Sequence, residues 1–98
     1  NAKFLPEIQK HERGMRACLK DPDGLPIKVY IAALSLTYNI GVNGFCSSTA
    51  HRRFNNGDLK GGCEALGWFN RAGGKVLRGL VKRRKQEVAL CMEGINGQ

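Results

Sequence analysis

The sequence predicts an all-α protein, on three observations. Apolar side chains recur at three- and four-residue spacing through every longer segment. Clusters of glycine, proline and Asn-Gly, which stop helices, separate those segments. No stretch alternates apolar and polar residues for long enough to make a strand. With 98 residues, 42% of them hydrophobic and 24% charged, the chain reads as one globular domain with a small core. No apolar run approaches the roughly 20 residues needed to span a bilayer. There is no internal repeat and no low-complexity tract.

The elements follow in order. Residues 1–20 form an N-terminal unit, in which Phe4, Leu5, Ile8, Met15, Cys18 and Leu19 suit an amphipathic helix over 3–19. The His11-Glu12-Arg13-Gly14 step weakens the middle of that helix. The run from Asp21 to Pro26 is a turn, holding two prolines, a glycine and two aspartates. Pro26 then suits the first turn of a helix from Ile27 to Tyr38. Ile27, Tyr30, Ile31, Leu34 and Tyr38 line one face of it. Val29, Ala32, Ala33 and Leu36 fill the other sides, and a helix apolar all round is normally the buried centre of a domain.

Gly41 to Gly44 end this helix, since glycine takes the left-handed cap conformation without steric cost. Ser47 or Ser48 caps a short helix through about Phe54. Asn55-Asn56-Gly57 is a turn. Asp58 opens a helix with Leu59, Cys63, Leu66 and Phe69 on one face, and Ala72-Gly73-Gly74 breaks it. The last helix starts near Lys75 and ends near Met92, with Leu77, Leu80, Val81, Val88 and Cys91 inward.

The charge is one-sided, with 16 Lys and Arg against 8 Asp and Glu, net +8. That surplus favours a polyanionic partner: nucleic acid, an acidic membrane face or a bacterial wall. Much of it lies in a basic surface of Arg52, Arg53, Lys82, Arg83, Arg84 and Lys85. Cys18, Cys46, Cys63 and Cys91 contain no close pair of the kind zinc sites use, so no metal site is expected. An even count permits two disulfides, with Cys46–Cys63 and Cys18–Cys91 the preferred pairing and four buried thiols the alternative. Disulfides would place the protein in an exported, oxidising setting. His11 and His51 read as surface histidines. Gly61-Gly62 and Gly73-Gly74-Lys75 miss the phosphate-loop spacing, and helix packing and capping explain them. No cofactor motif is present in the sequence.

The string from Leu34 to Arg84 carries the strongest signal. It holds Tyr38-Asn39-Ile40-Gly41, Phe45, Ser48-Thr49, Asn56-Gly57-Asp58 and Trp68-Phe69-Asn70 at close intervals. It resembles the C-terminal helical lobe of the tailed-phage lysozymes, glycoside hydrolase family 24. The resemblance covers roughly residues 15–93. It implies a lysozyme-like helical lobe of about five helices over 21–98, with no β lobe, preceded by an inter-lobe-like helix. It also implies hydrolysis of the β-1,4 bond between N-acetylmuramic acid and N-acetylglucosamine in peptidoglycan, after export or release to the periplasm.

A glycosidase of this type needs a carboxylic acid and usually a second carboxylate. Glu12 and Asp21 are candidates, because the family places a Glu, eight residues, an Asp or Cys, five residues, then Thr. Ile27 stands where that Thr belongs, and no Thr-Ile-Gly-Tyr-Gly-His-like hairpin follows Glu12. The better alignment makes Glu12 a solvent-facing helix residue, leaving the chain without its general acid. With Asn rather than Met at its start, the chain reads as a piece of a longer protein whose N-terminal catalytic lobe is missing.

Asn39, Phe45, Trp68 and Asn70 are then the candidate substrate-binding residues. An aromatic ring offers a sugar an apolar face, and a neighbouring amide bonds its edge. The competing roles are cap and core, and one of Trp68 and Phe69 must face inward. The other readings are a non-catalytic wall-binding module and a basic helical nucleic-acid-binding domain. For the latter the glycine-rich flanks of the helix carrying His51, Arg52 and Arg53 fit poorly, and no nucleic-acid partner is expected.

Overall fold

The computed structural model describes residues 4–69, 71–72 and 75–96. Six α-helices occur among the described residues: α1 Phe4–Cys18, α2 Ile27–Ile40, α3 Val42–Cys46, α4 Thr49–Asn55, α5 Leu59–Leu66 and α6 Arg78–Ile95. A 3-10 turn, Pro22–Gly24, joins α1 to α2. The only strands among the described residues are β1 Arg71–Ala72 and β2 Lys75–Val76, an antiparallel pair two residues long. The all-α expectation is borne out. The last helix begins three residues later than expected, because Lys75 and Val76 pair with Ala72 and Arg71.

Local chemistry sets most boundaries. Asp21 accepts from Gly24 N at 3.2 Å and closes the 3-10 turn. Gly41 ends α2 at φ +92°, where a side chain would be strained, and Gly57 takes φ +82° in the turn before α5. Ser48 Oγ accepts from His51 N at 3.1 Å and caps α4. Asp58 Oδ1 accepts from Gly61 N at 3.0 Å and caps α5.

The core gathers around α2, which packs most extensively on α6 and also meets α1, α3 and α5. Met15, Leu19, Val29, Ala32, Ala33, Leu36, Phe45, Phe54, Cys63, Leu66 and Cys91 are buried in it. The buried stripe of α2 is Val29, Ala32, Ala33, Leu36 and Thr37, whose small alanines admit α6 closely. A Cβ on Gly94 of α6 would stand 3.0 Å from Val29 N. Against expectation, α2 is not enclosed all round: Ile27 is 68% and Ile31 46% exposed. On α6 the buried positions are Arg84, Glu87, Cys91 and Gly94. The expected inward residues Leu80, Val81 and Val88 are half-buried, and Leu77 is exposed.

Both disulfides form, but in another of the three possible pairings: Cys18–Cys46 and Cys63–Cys91. The preferred Cys46–Cys63 and Cys18–Cys91 pairs fail because the helix neighbours differ. α1 packs on α3 and α5 on α6, which brings the Cα atoms to 5.9 and 5.6 Å.

The Gly61-Gly62 pair has a packing reason. A Cβ on Gly62 would run into the ring of Phe54, itself buried between α4 and α5. Gly62→Ala gains about 1 kcal/mol of helix propensity and meets an overpacking cost of about 1–3 kcal/mol. The expected result is a lower melting temperature by calorimetry, with unchanged helix content by circular dichroism.

Candidate functional site

Arg84 organises the surface where α2, α6 and the segment after α5 meet. Its guanidinium donates from Nη1 to Asn39 Oδ1 at 3.0 Å and to the Phe69 carbonyl at 3.3 Å. Nη2 donates to Glu87 Oε2 at 2.8 Å, and Nε lies 2.6 Å from Oε1 as an ion-pair contact. Ser35 Oγ donates to the same Glu87 carboxylate. Arg84 is 1% exposed, which corrects its assignment to the basic surface. The reason is geometric: Arg84 falls on the α6 stripe that faces α2, where Asn39, Glu87 and the Phe69 carbonyl accept from its two terminal nitrogens. Glu87 escaped the sequence reading, and only its three-residue spacing from Arg84 could have signalled it.

The other basic residues divide. Arg52, Lys82, Arg83 and Lys85 are exposed. Arg53 is half-buried, donating from Nη1 to the Gly61 carbonyl at 3.1 Å. Its guanidinium carbon sits 5.0 Å from the centre of the Trp68 ring, a cation–π contact. Trp68 is 58% exposed while Phe69 packs against the core, so the adjacent aromatics split in the turn after α5, which ends at Leu66 instead of reaching Phe69.

Asn39 is exposed, with its amide oxygen fixed by Arg84. Arg84 therefore ties Asn39 to the backbone that follows Trp68, and the two candidate contacts share one rigid support. Phe45 is wholly buried, which corrects its place among the binding residues: its ring is core, edge-on to His51. Asn70 lies outside the described residues.

The candidate carboxylates are held by structural partners. Glu12 is half-buried rather than solvent-facing, and the Tyr30 hydroxyl donates to it. Tyr30 in turn accepts from Arg16 Nη1 at 3.2 Å, and Arg16 pairs with Asp23 at 2.9 Å. Burial, followed by the Glu12 carboxylate, raises the Tyr30 pKa above its usual value. Its neutral form thus contributes stability that is lost only as pH rises past the ordinary tyrosine range. Asp21 holds the Gly24 N–H. The histidines are half-buried, not free on the surface. His11 Nδ1 donates to the Glu7 carbonyl at 2.7 Å, and His51 Nε2 donates to the Cys18 carbonyl at 2.7 Å. No group of three or more potential metal ligands occurs among the described residues.

Comparison with known proteins gives the architecture its family. The chain matches the Phage lysozyme family over residues 2–87. It belongs to the phage lysozyme family. The resemblance read from the 34–84 string is thereby borne out. Among the family's curated members, the SAR-endolysin of Enterobacteria phage P21 is 44% identical over 63 residues, covering 64% of this chain and 38% of the relative. The probable prophage lysozyme of Escherichia coli K12 is 40% identical over 91 residues, covering 86% and 49%. The chain thus spans about half the length of such relatives or less. Among solved structures, the endolysin of Escherichia coli O157:H7 phage FAHEc1 superposes with a TM-score of 0.82 at 29% identity, covering 92% of this chain and 58% of that one. The active form of P1 phage endolysin Lyz gives 0.84 at 25% identity, covering 96% and 58%.

Proposed function

We propose that this chain is the substrate-holding helical lobe of a phage or prophage muramidase, inactive on its own, acting in the periplasm on the bacterial wall. The observation that carries the reading is the phage lysozyme match along residues 2–87 of a chain about half as long as its relatives. The chemistry is consistent with it. Cleaving a glycosidic bond takes a proton donor and a second carboxylate set several ångströms apart across the sugar. Glu12 is engaged by Tyr30 and Asp21 by a backbone N–H, so neither is presented to a substrate as a free acid. What the lobe offers instead is the exposed indole of Trp68, for the apolar face of a sugar ring, and Asn39 for a hydroxyl or amide.

A second lobe carrying the acid needs a seat, and α2 supplies one. Ile27 and Ile31 form an exposed apolar ridge. Beside it a hollow of about 230 Å³ between α2 and α6 is lined by Ile31, Ser35, Arg83, Gln86, Glu87 and Leu90. Covering Ile27 and Ile31 would complete the burial that their sequence pattern anticipates.

The test compares this chain with one preceded by the segment encoded upstream of it. The chain alone is expected to sediment with purified peptidoglycan and to leave permeabilised bacteria turbid, while the longer chain clears them. Trp68→Ala should weaken wall binding about 3- to 10-fold, the range of an aromatic stacking contact. Clearing by the chain alone that disappears in Glu12→Gln would overturn the reading and make Glu12 the acid.

A further inference from the structure

The geometry points to a docking face for an anionic lipid bilayer along strand β2 and the first half of α6. Arg78, Lys82 and Lys85 recur at helical spacing on one side of α6, and all three are exposed. Between and beside them lie apolar groups: Val76 is 54% exposed, Leu77 43%, and Val81 half-buried. A hollow of about 410 Å³ is lined by Val76, Arg78, Val81, Lys82 and Lys85, with no carboxylate among them. It continues across Val81 and Lys85 into a second hollow of about 500 Å³, bounded by Trp68, Gly67 and Val88 and carrying one carboxylate, Glu64. Trp68 stands at the border of this face, with Arg53 over its ring.

Cations interleaved with exposed aliphatic groups, edged by a tryptophan, match the bilayer interface. Lysine stems lie along the apolar zone while their ammonium groups reach lipid phosphates, and an indole prefers the headgroup level. A bilayer is favoured over an acidic peptide for two reasons. Val76, Leu77 and Trp68 are left open to solvent instead of only walling a slot, so a broad apolar partner covers them together. A negative plane also attracts every cation of this face within its screening distance at once, and the neighbouring Arg83 with them, whereas a short peptide meets only the few it touches. No helix among the described residues is long and apolar enough to cross a membrane, so the contact is interfacial. Lipid binding is read without hydrolysis, so its failure is distinguishable from failure of the muramidase proposal even though both use Trp68.

Trp68 is the chain's single tryptophan, so its fluorescence reports from the edge of the face without labelling. Titration with phosphatidylcholine vesicles containing a quarter phosphatidylglycerol is expected to shift its emission to the blue, with saturation and reversal by salt. Pure phosphatidylcholine vesicles should give no shift. Lys82→Glu with Lys85→Glu should weaken binding roughly 25-fold or more, at about fivefold for each cation near the surface. The same charge change placed at Lys10 and Lys20, exposed on and just beyond α1, should weaken it only a few-fold. Circular dichroism of both variants checks that these exposed substitutions leave the helices intact. Equal losses in the two double variants would overturn the proposal by reducing it to net charge. Absence of binding to the anionic vesicles would overturn it outright. So would a shift with polyglutamate but not with vesicles, which assigns the face to an acidic protein.

Discussion

Arg84→Met is expected to lower folding stability by about 3–5 kcal/mol, because it strands the Glu87 carboxylate in a buried site. For a domain whose total stability is on the order of 5–15 kcal/mol, that is a large share. Urea unfolding should show an earlier midpoint with an unchanged slope. The double change Arg84→Met with Glu87→Leu should recover much of the loss, since buried ion pairs often exchange for apolar groups at little cost. Recovery is expected to be incomplete. Ser35 and Asn39 lose their partners with the pair, and so does the Phe69 carbonyl. A merely solvated arginine would show neither the loss nor the rescue, and a single change costing under about 0.5 kcal/mol, the usual surface range, would refute this account.

Removing a disulfide should be comparably costly. Both bridges span a sequence separation of 28 residues, for which chain entropy alone gives roughly 3–4 kcal/mol each. The two differ in packing. Cys63 and Cys91 are wholly buried, whereas Cys18 and Cys46 are half-buried. Cys63→Ala with Cys91→Ala should therefore lower the melting temperature further than Cys18→Ala with Cys46→Ala, by the extra packing lost in the core. Peptide mapping of the unreduced protein should recover Cys18 linked to Cys46 and Cys63 linked to Cys91. Recovery of a Cys46–Cys63 peptide would contradict the packing of α5 on α6.

The features legible in the sequence are those settled within a few residues. Ser48 and Asp58 cap their helices because a side-chain oxygen reaches an N–H three positions on. Gly41 and Gly57 mark chain reversals because only glycine enters positive φ without strain. The helices follow from apolar spacing, and the family follows from a motif string that is itself local. The strand Lys75–Val76 was hidden, because a two-residue ribbon has too few positions to show alternation.

The candidate site was legible in part. Trp68 and Asn39 remain surface residues, as a binding role needs. Phe45 does not, because its short helix is turned inward between α1, α2 and α4. Asn39 could be named from the string, but the hold that Arg84 has on it could not, since the two are 45 residues apart.

Sequence alone established an all-helical, strongly basic domain of the phage lysozyme type, through spacing, capping and charge that act over one or two helical turns. The tertiary structure decided the cysteine pairing, the burial of one arginine within a basic run, and the bare Ile27–Ile31 ridge. Each of these depends on which helices become neighbours, and a contact between helices far apart in sequence leaves no periodic trace in either of them.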